Sequence, residues 1–200
     1  TGTLFLSIAF LAYKDISQLV KDMSSAEQDK RLVTLVSAVE RVAHHHAVER
    51  GLTAGYLGNP NSDSKQKIVN QRENADQAFQ SLKSIHNENW SEDLGIDVIL
   101  QPLFKEEANK GEIRRAVDSL NGAEAFGYYS ELNKRALNAA NAFTILLSDQ
   151  KAKQHLLQGL NLARLKERLG QRRGKINAML AKQSINPNTK AEINSYIDDI

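Results

Sequence analysis

The chain has 200 residues, 41% hydrophobic and 25% charged, an ordinary globular composition that can bury one good core as one domain or two closely packed bundles. Its net charge of +2 comes from Lys and Arg interleaved with Asp and Glu, which leaves little long-range field to attract nucleic acid. No cysteine occurs, so disulfide scaffolds, thiolate zinc sites and cysteine nucleophiles are excluded.

Three prolines and eleven glycines are few for this length. No window of four or more residues alternates between β-branched or aromatic and polar side chains, so the sequence predicts an all-α protein. The first element opens on Leu4–Tyr13, LFLSIAFLAY, an uncharged run broken by Ser7 and ended by Lys14 and Asp15. A bilayer takes about 20 apolar residues. The chain begins on threonine, and residues 1–13 are therefore expected to be the outer end of a transmembrane helix that starts upstream, with Tyr13 at the interface. A buried helix end or a signal-peptide remnant is the alternative.

From Asp15 to Leu57, apolar residues at Ile16, Leu19, Val20, Met23, Leu32, Leu35, Val36, Val39, Val42, Ala43 and Ala47 give the stripe of one long amphipathic helix. Gly58 to Asn61 reads as a loop, after which Ser62 or Asp63 caps a second helix through Ile68, Ala75, Phe79, Leu82 and Ile85, expected antiparallel to the first. Asn87 to Ser91 breaks the pattern around Trp90. Shorter helices in LGIDVILQPLF and GEIRRAVDSLNG follow, divided around Gly111 and ended near Asn121 and Gly122. Two longer helices come next, one from Ala123 to about Ser148 and one from about Lys151 to Lys182.

An internal repeat links the first helix to the last. RGLTAGYL from Arg50 aligns with RGKINAML from Arg173, an offset of 173 − 50 = 123 residues; Asn59-Pro60-Asn61 aligns with Asn186-Pro187-Asn188, an offset of 186 − 59 = 127. Both copies, about 30–87 and 151–200, read as a helix bearing Arg-Gly, a loop and a following helix, so two similar helical hairpins are expected to pack within residues 14–200. Gly51 and Gly174 each cost a helix interior roughly 1 kcal/mol relative to alanine, and each lets a neighbour approach closely.

Arginine is planar and permanently charged, and its fork of donors suits planar oxyanions. Arg50 and Arg173 converging from two helices would clamp a small anion such as nitrate, nitrite or a carboxylate. Two guanidinium groups brought together repel, and an anion between them relieves that repulsion, so a ligand would shift the helix arrangement as a sensor requires. The bland reading makes both arginines surface residues paired with Glu49 and Glu167.

ERGLTAGYL at 49–57 with QRRGKINAML at 171–180 resembles the nitrate- and nitrite-sensing domain of bacterial receptors, and RRAVD at 114–118 with EAFGYYSELN at 124–133 resembles its middle portion. The resemblance covers most of the chain after Lys30. It implies an all-helical fold and nitrate or nitrite bound by arginines of the first and a later long helix, here Arg50 and Arg173. Thr53 and Asn177 lie within a turn of these and are possible hydrogen-bonding supports. The chain reads Arg172-Arg173 where the first copy reads Glu49-Arg50, which leaves open which arginine of the pair faces the ligand.

Members of that family are joined to methyl-accepting chemotaxis domains, histidine kinases, cyclic-nucleotide enzymes or RNA-binding antiterminators. The apolar N-terminal run favours a membrane receptor, with methyl-accepting chemotaxis proteins as the expected source. The expectation is an extracytoplasmic, inner-membrane-anchored homodimeric sensor with a signalling domain downstream and no nucleic-acid partner. A receptor for another small anion, or a helical interaction module without ligand, are the alternatives.

No cofactor or metal is expected. Consecutive residues on a helix point about 100° apart, so His44, His45 and His46 cannot converge on one ion. No Ser-His-Asp order, phosphate loop or carboxylate pair supports an enzyme.

Overall fold

A computed structural model of the chain describes residues 2–182, 191 and 194. Six α-helices occur there and no strand: α1 (Gly2–Gly58), α2 (Ser62–His86), α3 (Ile96–Glu107), α4 (Lys110–Asp118), α5 (Ala125–Ile145) and α6 (Gln150–Lys182), with a single 3₁₀ turn at Glu92–Leu94. The second Asn-Pro-Asn loop and the helix expected after it lie outside the described residues.

At 1.5 Å per residue the 57 residues of α1 span about 85 Å, and the bundle forms around its second half. α2 returns antiparallel beside it, with Gln71 Nε2 donating to the His45 carbonyl at 2.8 Å and Arg31 donating to the Asn89 carbonyl at 2.8 Å. α5 is also antiparallel to α1, pairing Arg50 with Ser130, while Asp29 near the other end receives the Ser148 and Asp149 amides at 2.9 and 2.7 Å. α6 runs parallel to α1, because contacts climb both helices together from Asp29 against Asp149 to Arg50 against Glu167 and Gly170. The core joins Leu32, Leu35 and Val39 of α1 to Phe79 and Leu82 of α2, Leu100 and Leu103 of α3, Leu132 and Phe143 of α5 and Leu160 of α6.

Several boundaries differ from the sequence reading. The cap of α2 is Asn61 rather than Ser62 or Asp63: its extended backbone lets the side-chain carbonyl accept the Ser64 amide at 2.8 Å, while Ser64 Oγ accepts the Asn61 amide at 3.2 Å. The break between α3 and α4 falls at Ala108 and Asn109, and Gly111 sits inside α4, whose first hydrogen bonds run to the Asn109 carbonyl. The first part of the apolar stripe, Ile16, Leu19, Val20 and Met23, is exposed rather than buried, because α2 ends and α6 begins level with Asp29 and no other described helix reaches beyond it. No helix of the described residues is long and apolar enough to cross a membrane.

α4 ends in a paired-hydrogen-bond cap, with Asn121 N–H donating to the Ala116 carbonyl and Leu120 N–H to the Val117 carbonyl, both at 2.9 Å. That geometry puts Leu120 at φ +59°, where its side chain is strained. Leu120→Gly is therefore expected to raise stability by about 1 kcal/mol, read as a shift in the urea unfolding midpoint.

Candidate functional site

Glu49 and Arg50 are neighbours on α1 and serve opposite sides of it. Glu49 is fully buried and faces α2, α4 and α5. It accepts Arg114 Nε at 2.7 Å, Arg114 Nη2 at 2.8 Å and the Tyr129 hydroxyl at 2.7 Å, with Arg72 Nε 3.5 Å away. Arg114 also grips both oxygens of Asp76 at 2.9 Å, and Arg72 grips Asp118. Burial works against the Arg114 charge, but hydrogen bonds to Glu49 and Asp76 raise its pKa; burial and the nearby Glu49 carboxylate push the Tyr129 phenol up. Three of the four stretches that carried the family resemblance, 49–57, 114–118 and 124–133, thus meet in one polar cluster that joins α1, α2, α4 and α5.

Arg50 turns the other way, toward α5 and α6, and its side chain is only 3% exposed. Its two terminal nitrogens fork onto the Glu167 carboxylate, Nη2 to Oε2 at 3.1 Å and Nη1 to Oε1, and Nη1 also donates to Ser130 Oγ at 3.1 Å. The guanidinium lies 5.2 Å from the Phe126 ring centre. The bland reading is therefore corrected for Arg50: its partner is Glu167, but the pair is buried.

These groups border a cleft of about 450 Å3 between α1 and α6, closed at the side by Phe126 of α5. The repeat places its two arginines here. Arg50 and Gly51 line the cleft from α1; Arg173, Gly174 and Asn177 line it from α6. Arg173 is solvent-exposed, so the two arginines differ in setting, one locked in a buried pair and one at the mouth. The parallel course of the helices puts residue 170 level with Arg50, which leaves Arg173 about one turn further along.

Arg50, Lys166 and Arg173 set three cations in the lining against the two carboxylates Glu40 and Glu167. Burial raises the Glu40 pKa, and burial, then Lys166 and His45, lower that of His44. The cleft is a net cationic recess.

Thr53 and Arg172 do not line the cleft. Thr53 is buried with an unbonded hydroxyl and borders a second cavity of about 440 Å3, reached also by Arg50, Phe126 and Lys175; Arg172 is half-buried. The glycines also divide differently from the expectation. A Cβ on Gly51 would meet nothing, whereas one on Gly174 would come within 2.6 Å of the Phe126 ring and one on Gly170 within 3.3 Å of Arg50 Nη2. Gly170 is the glycine that lets α6 approach Arg50, and the Arg-Gly repeat gave no sign of it. Gly174→Ala is expected to displace Phe126 and cost about 1 kcal/mol, measured by urea unfolding.

Glu167, Ser130, Asn133 and Gln171 were not singled out as site residues by sequence. The signal that could have found Glu167 is that it is the single carboxylate in the sequence of α6, on the same helix as Arg173. The three histidines take three environments: His44 lines the cleft, His45 contacts Gln71 of α2, and His46 is buried with Nδ1 2.7 Å from the Val42 carbonyl.

Fold and cleft together define an all-helical domain with a cationic recess sized for a small ligand. The family model described as nitrate and nitrite sensing matches residues 41–199, and the chain belongs to that family. The chain is also similar to the solved structure of the NasR transcription antiterminator, at 14% sequence identity and a TM-score of 0.78. That likeness, which concerns the fold alone, covers 92% of this chain and 52% of that one, so the chain spans about half the length of the neighbour. No curated protein matches the sequence.

Proposed function

We propose that residues 14–200 are the extracytoplasmic sensing domain of a bacterial inner-membrane receptor, with residues 1–13 the outer end of its membrane span. Nitrate or nitrite binds in the α1–α6 cleft between Arg50 and Arg173, with Asn177 in the same lining. The observation that carries the reading is that two arginines 123 residues apart, matched by the internal repeat, line one recess in a member of the nitrate- and nitrite-sensing family.

α1 supports the output step. It is unbroken from the apolar run to Gly58, so a ligand that moves Arg50 against α6 moves the run with it. The first ~27 residues of that helix project about 40 Å beyond the bundle, with Ile16, Leu19 and Met23 exposed at coiled-coil spacing. A lone helix of that length gains little stability without packing, and the same stripe on a second copy completes the seam, which supports a homodimer. The signalling domain belongs downstream in the same chain, in the manner of a methyl-accepting chemotaxis receptor.

Titration calorimetry with sodium nitrate, against sodium chloride at equal ionic strength, tests the binding. Saturable heat specific to nitrate supports it; equal heats in both salts overturn it. A small carboxylate as ligand is the second reading, favoured by the Glu167 carboxylate on the Arg50 fork, and acetate or formate in the same cell tests it.

A further inference from the structure

Glu167 sits where the anion is expected. Each of its oxygens takes a donor from Arg50 and a second donor besides: Gln171 Nε2 reaches Oε1 at 2.7 Å, and Asn133 Nδ2 reaches Oε2 at 3.1 Å. Four N–H donors from three helices therefore converge on one planar carboxylate, and the residue is 11% exposed at its side chain. Asn133 and Gln171 are themselves buried, at 1% and 8%, so these donors are held in place by packing.

A planar oxyanion with two oxygens on one face presents the same pair of acceptor positions as a carboxylate. Both cannot use the Arg50 fork at once. We propose that Glu167 is a tethered stand-in for the ligand: the anion displaces it from the fork, and Asn133 and Gln171 pass from Glu167 to the anion as ligand donors. This rests on the reading that Arg50 takes the anion, and it adds the identity of the competitor and of two further binding residues.

A tethered competitor lowers the apparent affinity by the fraction of time it leaves the fork open. Its displacement also removes the ion pair between α1 and α6, so ligand entry and loosening of that helix contact become one event. Glu167→Gln keeps the size of the side chain but removes its charge and replaces one of the two acceptor oxygens with an amide NH2 that cannot accept from the guanidinium, which opens the fork.

The test is calorimetry with sodium nitrate on the 200-residue chain, comparing wild type, E167Q and R50K. Glu167→Ala serves in place of E167Q if that variant does not fold. The expected result is at least tenfold tighter nitrate binding by E167Q, a lower melting temperature than wild type without nitrate, and a larger rise on adding it. Within E167Q, Asn133→Ala is expected to weaken nitrate binding by about tenfold. Unchanged or weaker binding by E167Q, with binding lost in R50K, overturns the competitor while leaving the Arg50 site intact. Wild-type nitrate binding that survives R50K overturns both.

Discussion

Arg50→Ala is expected to abolish the proposed nitrate binding, with the apparent dissociation constant rising at least a hundredfold in titration calorimetry. Two charge-assisted hydrogen bonds at roughly 1.5–3 kcal/mol each set that scale. The variant also strands Glu167, which is nearly buried, and breaking a buried pair from one side costs about 3–5 kcal/mol. The Asn133 and Gln171 amides still reach that carboxylate and pull the cost toward the lower end. Loss of binding could then be blamed on loss of structure, and Arg173 resolves the ambiguity. It is exposed at the cleft mouth, so Arg173→Ala should shift stability by no more than about 0.5 kcal/mol while weakening nitrate binding about tenfold or more. An Arg173→Ala variant that binds nitrate as wild type does would remove the second arginine from the site.

The largest loss of stability is expected one residue earlier. Glu49→Ala leaves Arg114 and Arg72 facing each other without the buried carboxylate between them, each keeping only its outer carboxylate partner, Asp76 or Asp118, and leaves Tyr129 without its acceptor. Removing one partner of such a cluster costs about 3–5 kcal/mol. For a chain of this size that is a fall in melting temperature of roughly 6–20 °C, measured by circular dichroism. Because Glu49 faces away from the cleft, nitrate affinity measured well below the transition should stay close to wild type. A Glu49 variant of normal stability would mean that the cluster does not hold the four helices together.

The same cluster sets an acid limit. Burial works against the Asp76 charge, but hydrogen bonds from Arg114 and Lys110 prevail and hold its pKa below the ordinary 3.8. A folded-state value below the unfolded one contributes stability that is present above the ordinary value and is lost as pH falls through the folded one. Asp76→Asn should accordingly flatten the stability profile below about pH 4, followed by urea midpoints across pH.

Much of the fold was legible because helical periodicity is a local property. The stripe from Leu32 to Val42, the Asn59–Asn61 loop and the antiparallel α2 all follow from spacing of apolar residues and turn chemistry, and all appear in the structure. Caps were harder, since Asn61, Ser62 and Asp63 are equally good cap residues and backbone geometry chooses among them. Burial of the N-terminal stripe was misread for a different reason. Periodicity reports that a helix has an apolar face, not whether another helix arrives to cover it.

The site divides in the same way. The sequence by itself determined the helical class, the internal repeat and the two arginines it matches, since these depend on residue types at fixed spacing. Only the tertiary structure decided that α6 lies parallel to α1, which brings residues more than a hundred positions apart to one level. It also decided that Glu49 and Arg50 part company: side chains one residue apart on a helix diverge by about 100°, so one builds the interior and the other faces the cleft. The partner of Arg50 was settled by the same packing. Many carboxylates could pair with it on paper, and the absence of a side chain at Gly170, with donors from Asn133 and Gln171, selects Glu167.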